Sequence, residues 1–225
     1  MKLKGFTLAE VIITLTIIGV VAAITMPVIN VQTEESKFIS QLHKAENSLN
    51  TAIKLAALDN DNLPVKHWKT FADATDETGR IDAFKNALMA QMNIINNCSN
   101  INECLYSGKY NNLKKTEVED TNWKPATATC FITSDGITYC IKTAGDNGNG
   151  EILVDLNGPQ KPNIFGVDSF NFNINGLNKS INAQNELTLC DINSSSNEAI
   201  KNGLGCTEWA LRKGNMDYRR KTVSW

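Results

Sequence analysis

The sequence contains almost no histidine: His43 and His67 are the only two among 225 residues. Catalytic or metal sites that depend on clustered histidines are therefore nearly excluded. The six cysteines show no C-x2-4-C pairs of the kind that bind zinc, and none is suitably grouped with a histidine for nucleophilic catalysis. Zinc chemistry and thiol chemistry are thus both disfavoured.

An excess of charge of either sign is also missing. The chain has 22 Lys and Arg against 24 Asp and Glu, a formal net charge of −2. Overall electrostatics therefore give no reason to expect binding to nucleic acid or to anionic lipid. With 42% hydrophobic residues the chain is too apolar to be a disordered tail, and its length fits one domain with an appendage.

Residues 11–33 contain no charged side chain, and most of this run is apolar. It is about as long as a helix that spans a bilayer. Because Lys2 and Lys4 precede it and the next basic residue is Lys37, we expect the N-terminus in the cytoplasm and the remainder outside. A cleaved signal peptide should end in an A-x-A-like site, which is missing, and a plain anchor leaves Glu10 unexplained.

The residues around Glu10 carry a specific signal. The string K-G-F-T-L-A-E at residues 4–10 resembles the prepilin cleavage and methylation motif of type IV pilins and type II secretion pseudopilins. The resemblance implies that prepilin peptidase cuts between Gly5 and Phe6 and that Phe6 is then N-methylated. It also implies that Glu10 pairs with the Phe6 amine of a neighbouring subunit and that Pro27 weakens the helix within the filament core.

Beyond Pro27 the apolar residues recur at three- and four-residue steps, which predicts an amphipathic helix. These positions are Phe38, Leu42, Ala45, Leu49, Ala52, Ile53 and Ala56. We expect one helix over residues 6–58, with its second half against a globular head, and a second helix over residues 81–95. Strands are expected at residues 128–133, 137–142, 151–156, 169–174 and 207–212.

The predicted fold is therefore α+β: a long N-terminal helix packed on an antiparallel sheet in a pilin-like head. The expected division is a leader at 1–5, a transmembrane and filament-core helix at 6–30, an amphipathic half at 31–58 and an extracytoplasmic head at 59–225.

All six cysteines lie in the part expected outside the cytoplasm, where disulfides form. Fifteen pairings are formally possible. Local spacing favours Cys98 with Cys104, Cys130 with Cys140, and Cys190 with Cys206. The middle pair has the strongest support because a three-residue hairpin loop at Ser134, Asp135 and Gly136 would place its members opposite each other.

One loop of the head offers a candidate cation site. Residues 155–168 resemble a D-x-N-G…P-N-x-x-G-x-D segment seen in bacterial pseudopilin-like proteins, and Asp155, Asn157 and Asp168 provide oxygen atoms suited to calcium. The alternative is an Asx-turn loop whose side chains bind backbone amides. No other cofactor is expected.

The C-terminal end interleaves basic and aromatic residues. Such residues could bind single-stranded DNA, but a solvated, partly frayed terminus is the simpler expectation, and nucleic acid is not an expected partner. Residues 205–218 also resemble the end of pilin-like heads. The basic and aromatic residues concerned are Trp209, Arg212, Lys213, Tyr218, Arg219, Arg220, Lys221 and Trp225.

The resemblance implies a non-enzymatic subunit that waits in the cytoplasmic membrane and assembles into a helical filament. Its partners would be prepilin peptidase, the inner-membrane assembly platform and other pilins or pseudopilins. Two functions fit this machinery: a pseudopilus for type II protein secretion, or a type IV pilus for adhesion, motility or DNA uptake. A static membrane-anchored binding protein is the alternative from another class.

Overall fold

The computed structural model describes Gly5, residues 7–119, Trp123, residues 127–193 and residues 202–225, without the side chains of residues 26–30. The chain divides into two compact units, Met1–Lys37 and Phe38–Trp225. Helix α1 (Leu8–Leu58) begins in the first unit and continues into the second.

In the first unit, Leu8–Thr25 is long and apolar enough to cross a bilayer, with a mean hydropathy of 2.3, and none of it is buried. Its threonine hydroxyls bond to carbonyl oxygens one turn back: Thr14 to Glu10, Thr16 to Ile12 and Thr25 to Val21, at 2.8–3.0 Å. These bonds satisfy polar groups that lipid cannot solvate. The sequence and structure thus fit a membrane anchor.

In the second unit, short elements follow α1. They are α2 (Lys69–Ala72), α3 (Glu77–Met89), β1 (Ile94–Asn97), α4 (Ile101–Cys104), β2 (Tyr110–Asn111), β3 (Glu117–Val118), β4 (Thr129–Thr133), β5 (Thr138–Ala144), β6 (Gly150–Asp155), β7 (Ser169–Asn175), β8 (Ser180–Ala183) and α5 (Thr207–Lys213), with 3-10 turns at Val65–His67, Leu187–Leu189, Leu204–Cys206 and Asp217–Arg219.

Six of these strands form one antiparallel sheet in the order β1-β4-β5-β6-β7-β8, while β2 and β3 pair separately. The predicted hairpin joins β4 to β5, with the Thr133 amide bonded to the Ile137 carbonyl. Gly136 closes this loop at φ +81°, a backbone conformation that glycine adopts without steric cost. Cys130 and Cys140 consequently lie directly opposite each other.

The sheet buries apolar side chains on both faces. The predicted stripe of α1 is buried throughout and belongs to one core with Phe131, Tyr139, Ile152 and Phe172. A second core on the other face contains Cys130, Cys140 and Leu153 with residues from the 98–123 segment. The α+β prediction, with a long N-terminal helix and an antiparallel sheet, is confirmed.

Two predictions of secondary structure are wrong. The segment expected to be a strand at residues 207–212 is helix α5, which buries Trp209, Ala210 and Leu211 and ends at Gly214 in the left-handed conformation. The second helix ends at Met89, not at residue 95, because Ile94–Asn97 pairs with β4 as an edge strand. It also begins at Glu77 and not at residue 81, because the carboxylate of Asp76 caps the helix by accepting a hydrogen bond from the Gly79 amide.

Candidate functional site

The start of α1 holds the first candidate site. Glu10 accepts hydrogen bonds at Oε2 from the backbone amide of Thr7 at 2.8 Å and from its hydroxyl at 2.7 Å. The Glu10 amide in turn donates to the Thr7 hydroxyl oxygen at 3.3 Å. This reciprocal arrangement is a capping box, which satisfies amide groups that the first helical turn leaves without partners.

Three other predicted residues belong to this region. Gly5 is exposed, and Phe6 lies outside the described residues. Pro27 lies within α1, although its side chain is also outside the described part. Because proline has no amide hydrogen, the carbonyl of Ala23 lacks its helical partner there. The cleavage position and the role of Pro27 therefore remain predictions from the motif.

The second candidate site is the loop between β6 and β7. Asp155 ends β6, and its Oδ2 accepts hydrogen bonds from the Tyr110 hydroxyl at 2.5 Å and the Ser169 hydroxyl at 3.1 Å. Its Oδ1 accepts from the Asn157 amide at 3.2 Å. Asp168 accepts from the amides of Asn163 and Ile164 at 2.7 and 2.8 Å. Both carboxylates therefore hold the loop through protein donors.

Both aspartates are fully buried, with no exposed surface. Burial, together with the charge of Asp168, raises the pKa of Asp155 well above its ordinary value. Burial also raises the pKa of Asp168 to about 6, although the amides of Ile164 and Asn163 oppose that change. Burial and the Asp155 charge raise the pKa of Tyr110 as well, so its hydroxyl stays a donor.

Aromatic side chains from other parts of the head also contact the loop between β6 and β7. The ring of Tyr110 lies 5.5 Å from that of Phe165 and 4.7 Å from that of Trp123. The hydroxyl of Tyr218 is buried and donates to the Gly166 carbonyl at 2.7 Å. The two head segments that resemble pilin-like proteins are therefore in contact, although 52 residues separate these partners.

Comparison with protein families decides the nature of the N-terminal site. Residues 1–26 match the prokaryotic N-terminal methylation motif. The chain carries a prepilin signal of the type IV pilin and pseudopilin kind. Such a signal implies processing by prepilin peptidase and assembly with other pilin subunits, in a family that is structural and generally non-enzymatic. No curated protein and no solved structure matches the chain.

In the head, protein donors bind both carboxylates of the loop. Calcium takes six to eight oxygen ligands, yet the carboxylate oxygens of Asp155 and Asp168 already accept protein hydrogen bonds. Among the residues that the structure describes, no three His, Cys, Asp or Glu side chains group as metal ligands. The Oδ1 atom of the Asn157 side chain is buried without a hydrogen-bond partner. The Nδ2 atom of the same side chain donates to the Lys161 carbonyl.

The hydrogen bonds thus form the Asx-type network that the sequence allowed as the alternative to calcium. Calcium binding at Asp155, Asn157 and Asp168 would require exchange of these bonds for metal bonds, and this hypothesis stays untested.

The three disulfides of the head join Cys98 to Cys104, Cys130 to Cys140, and Cys190 to Cys206. These are the pairings that local spacing favours. Cys130 and Cys140 link the neighbouring strands β4 and β5. Cys190 and Cys206 attach the segment before α5 to the chain after β8. The disulfides Cys98 to Cys104 and Cys190 to Cys206 therefore hold segments that have little regular secondary structure.

The C-terminal segment packs partly against the head, while its basic side chains Arg212, Lys213, Arg220 and Lys221 are exposed, as expected for a solvated terminus. Met216 and Tyr218 are buried, and Trp225 lies 5.3 Å from Trp209 between ring centroids. Lys213 lies over both indoles and Arg212 over Trp225, at 5.4–5.9 Å. The basic and aromatic composition of this segment was the sequence signal for the cluster. The cations and rings contact one another within the head.

Proposed function

We propose that the chain is a structural subunit of a type II secretion pseudopilus, a short filament that pushes folded proteins outward. The observation that carries the proposal is a carboxylate, Glu10, at the start of an apolar membrane segment within a prepilin signal. The lysines before this segment favour a cytoplasmic N-terminus with the head outside. A subunit with Glu10 can occupy the shaft of the filament.

Assembly in this proposal is an exchange of partners. In the single chain, Glu10 is satisfied by Thr7. In the filament, its carboxylate binds the methylated Phe6 amine of the next subunit, and a buried charge pair of this kind sets the axial register. The apolar helices exchange lipid for one another, and a head-to-tail contact that does not close produces a filament.

The second candidate is a type IV pilin, major or minor, for adhesion, motility or DNA uptake. The head, with its many loops and three disulfides, suits an exposed subunit. Both functions require the same processing and the same use of Glu10. They differ in whether the filament exports proteins or reaches the cell surface.

Deletion of the gene and complementation with wild type or Glu10→Ala tests the proposal. We expect secreted proteins to accumulate inside deletion and Glu10→Ala cells while surface pili stay intact. Glu34→Ala, which changes an exposed carboxylate of the same helix beyond the apolar segment, should restore secretion. Loss of surface pili with normal secretion would instead support the pilin, and full function of Glu10→Ala would contradict both and favour a static anchor.

A further inference from the structure

Three polar side chains meet on the sheet face opposite α1. Lys142 on β5 places Nζ 2.9 Å from Oε2 of Glu151 on β6 and 3.5 Å from Oδ1 of Asn171 on β7. The side-chain nitrogen of Asn171, Nδ2, donates to the same Glu151 oxygen at 3.3 Å. Amine, carboxylate and amide therefore form a closed triangle across three neighbouring strands.

The amine and the amide are both withdrawn from water. Lys142 is 7% exposed and Asn171 is 4% exposed. Lysine is almost never buried unless it is paired, and here its partners are Glu151 and Asn171. The side chain of Glu151 is 41% exposed, so the triangle keeps one route to solvent.

The local backbone explains how a lysine reaches this position. The pairing of β5 with β6 shifts register between Ile141 and Thr143, so Lys142 is the extra residue of a β-bulge. By the regular alternation of a strand, Lys142 shares the sheet face of Cys140, and the bulge sets it beside Glu151 of β6. Asn171 lies opposite Leu153, which itself lies opposite Cys140 of the second core. Apolar residues thus border the amide.

We propose that Lys142 and Asn171 become joined by an intramolecular isopeptide bond, with Glu151 as the group that moves the protons. The reaction needs an amine close to an amide carbon and a carboxyl group in contact with both. Nζ of Lys142 lies 3.5 Å from Oδ1 of Asn171, and it must approach the neighbouring amide carbon to the about 3–3.5 Å of a near-attack arrangement before the bond can form.

The steps balance without an external reagent. Glu151 takes a proton from the Lys142 ammonium, and the neutral amine attacks the side-chain amide carbon of Asn171. Glu151 then donates that proton to the Asn171 nitrogen, with which it is already in contact. The carbon–nitrogen bond to this group breaks, ammonia leaves, and Glu151 removes the surplus proton from the new amide nitrogen. The exposed side of Glu151 gives ammonia a path to solvent.

The bond would connect β5 to β7 across β6, in the middle of the six-stranded sheet. It would supplement the Cys130 to Cys140 disulfide, which connects β4 to β5. Unlike a disulfide, it would survive reduction. The inference uses only contacts within the head and does not depend on which filament the chain forms.

Mass spectrometry of the full wild-type chain tests the proposal directly. We expect a reduced mass lower than the sequence predicts by one ammonia molecule. Trypsin should fail to cut after Lys142, and a further cut after Glu151 should leave the two flanking peptides joined. Localisation is essential because asparagine before glycine also loses ammonia by cyclisation. Normal tryptic cleavage after Lys142 with no joined peptide would overturn the proposal.

Substitution of each residue of the triangle tests its role in forming the bond. Lys142→Arg and Asn171→Ala should abolish the linked peptide. Glu151→Gln should slow its formation by about 100-fold or more, as expected for loss of acid–base catalysis. Lys85→Arg is the matched control because Lys85 is also buried and ion-paired, with Asp82 at 3.2 Å, and it should leave the linkage complete. Undiminished linkage in Glu151→Gln would contradict the role of Glu151.

Discussion

Oε2 of Glu10 accepts two hydrogen bonds from Thr7, one from the backbone amide and one from the hydroxyl. A carboxylate at the start of a membrane segment is costly unless it has a partner. Thr7 supplies that partner within a single chain. The same carboxylate must release Thr7 if it is to bind an amine of another subunit, so Thr7 competes with assembly.

Replacement of Thr7 by Val should therefore favour the assembled state. The variant removes both bonds of the Thr7 hydroxyl, the one donated to the Glu10 carboxylate and the one accepted from the Glu10 amide, and leaves the bond from the Thr7 amide in place. Because the bond to the carboxylate holds Glu10 within its own chain, its loss should raise the ratio of assembled to membrane-held subunits by roughly a few-fold. The ratio can be measured by shearing and fractionation of cells, normalised to the processed chain.

Thr16→Val is the control for this comparison because the Thr16 hydroxyl bonds only to the Ile12 carbonyl in its own helix. It should leave the ratio unchanged. A Thr7→Val ratio below that of the control would show that Thr7 supports assembly, contrary to the competition described above.

Tyr110→Phe should destabilise the head. The variant leaves the ring contacts with Phe165 and Trp123 but removes the hydroxyl that donates to buried Asp155. Loss of one donor to a buried carboxylate costs about 1–3 kcal/mol. Denaturant unfolding of the detergent-solubilised chain measures the change, with Tyr106→Phe as the control. Equal stability of the two variants would mean that the hydrogen bond contributes nothing.

The buried aspartates predict an unusual pH dependence. The pKa of Asp168 rises from an ordinary 3.8 to about 6 on folding, so the folded state binds protons more tightly than the unfolded state. Stability is therefore greatest below the unfolded value and is lost as pH rises from about 4 to about 6. The decline should be roughly 3 kcal/mol.

Thermal unfolding of the wild type at pH 4.5 and pH 7 would show this decline as a lower unfolding temperature at the higher pH. Asp155→Asn, which removes one charge of the pair, should reduce the difference. Asp146→Asn, in an exposed turn, should not. A wild-type head that is more stable at pH 7 would contradict the assignment.

Calcium should have little effect on the folded head. The carboxylates of Asp155 and Asp168 are already satisfied by hydroxyl and amide donors, so metal binding would have to break those bonds. We expect the same unfolding temperature in calcium and in a chelator. Stabilisation by calcium that disappears in Asp168→Asn would establish the metal site and overturn this expectation.

Local patterns in the sequence were sufficient for several elements. The stripe from Phe38 to Ala56 predicted the buried face of α1 because a helix repeats every 3.6 residues. The loop before Ile137 predicted the hairpin and with it the opposition of Cys130 and Cys140. Both depend on contacts between residues that are near in the chain or on one regular face.

Other features depend on contacts that no local pattern specifies. Residues 207–212 alternate as a strand would, but a seven-residue helix is too short for its period to be distinguished. The contact of Tyr110 with Asp155 spans 45 residues, and the bulge at Lys142 exists only through pairing with β6. Only the tertiary structure shows these.

The central claim is that the chain is processed as a prepilin, and one measurement tests it most directly. Intact-mass and N-terminal peptide analysis of the protein from membranes should give a mature chain that begins at N-methylated Phe6. Reduction should then add two hydrogen atoms for each of the three disulfides. A chain that still begins at Met1, in cells with active prepilin peptidase, would contradict the claim and leave a simple membrane anchor.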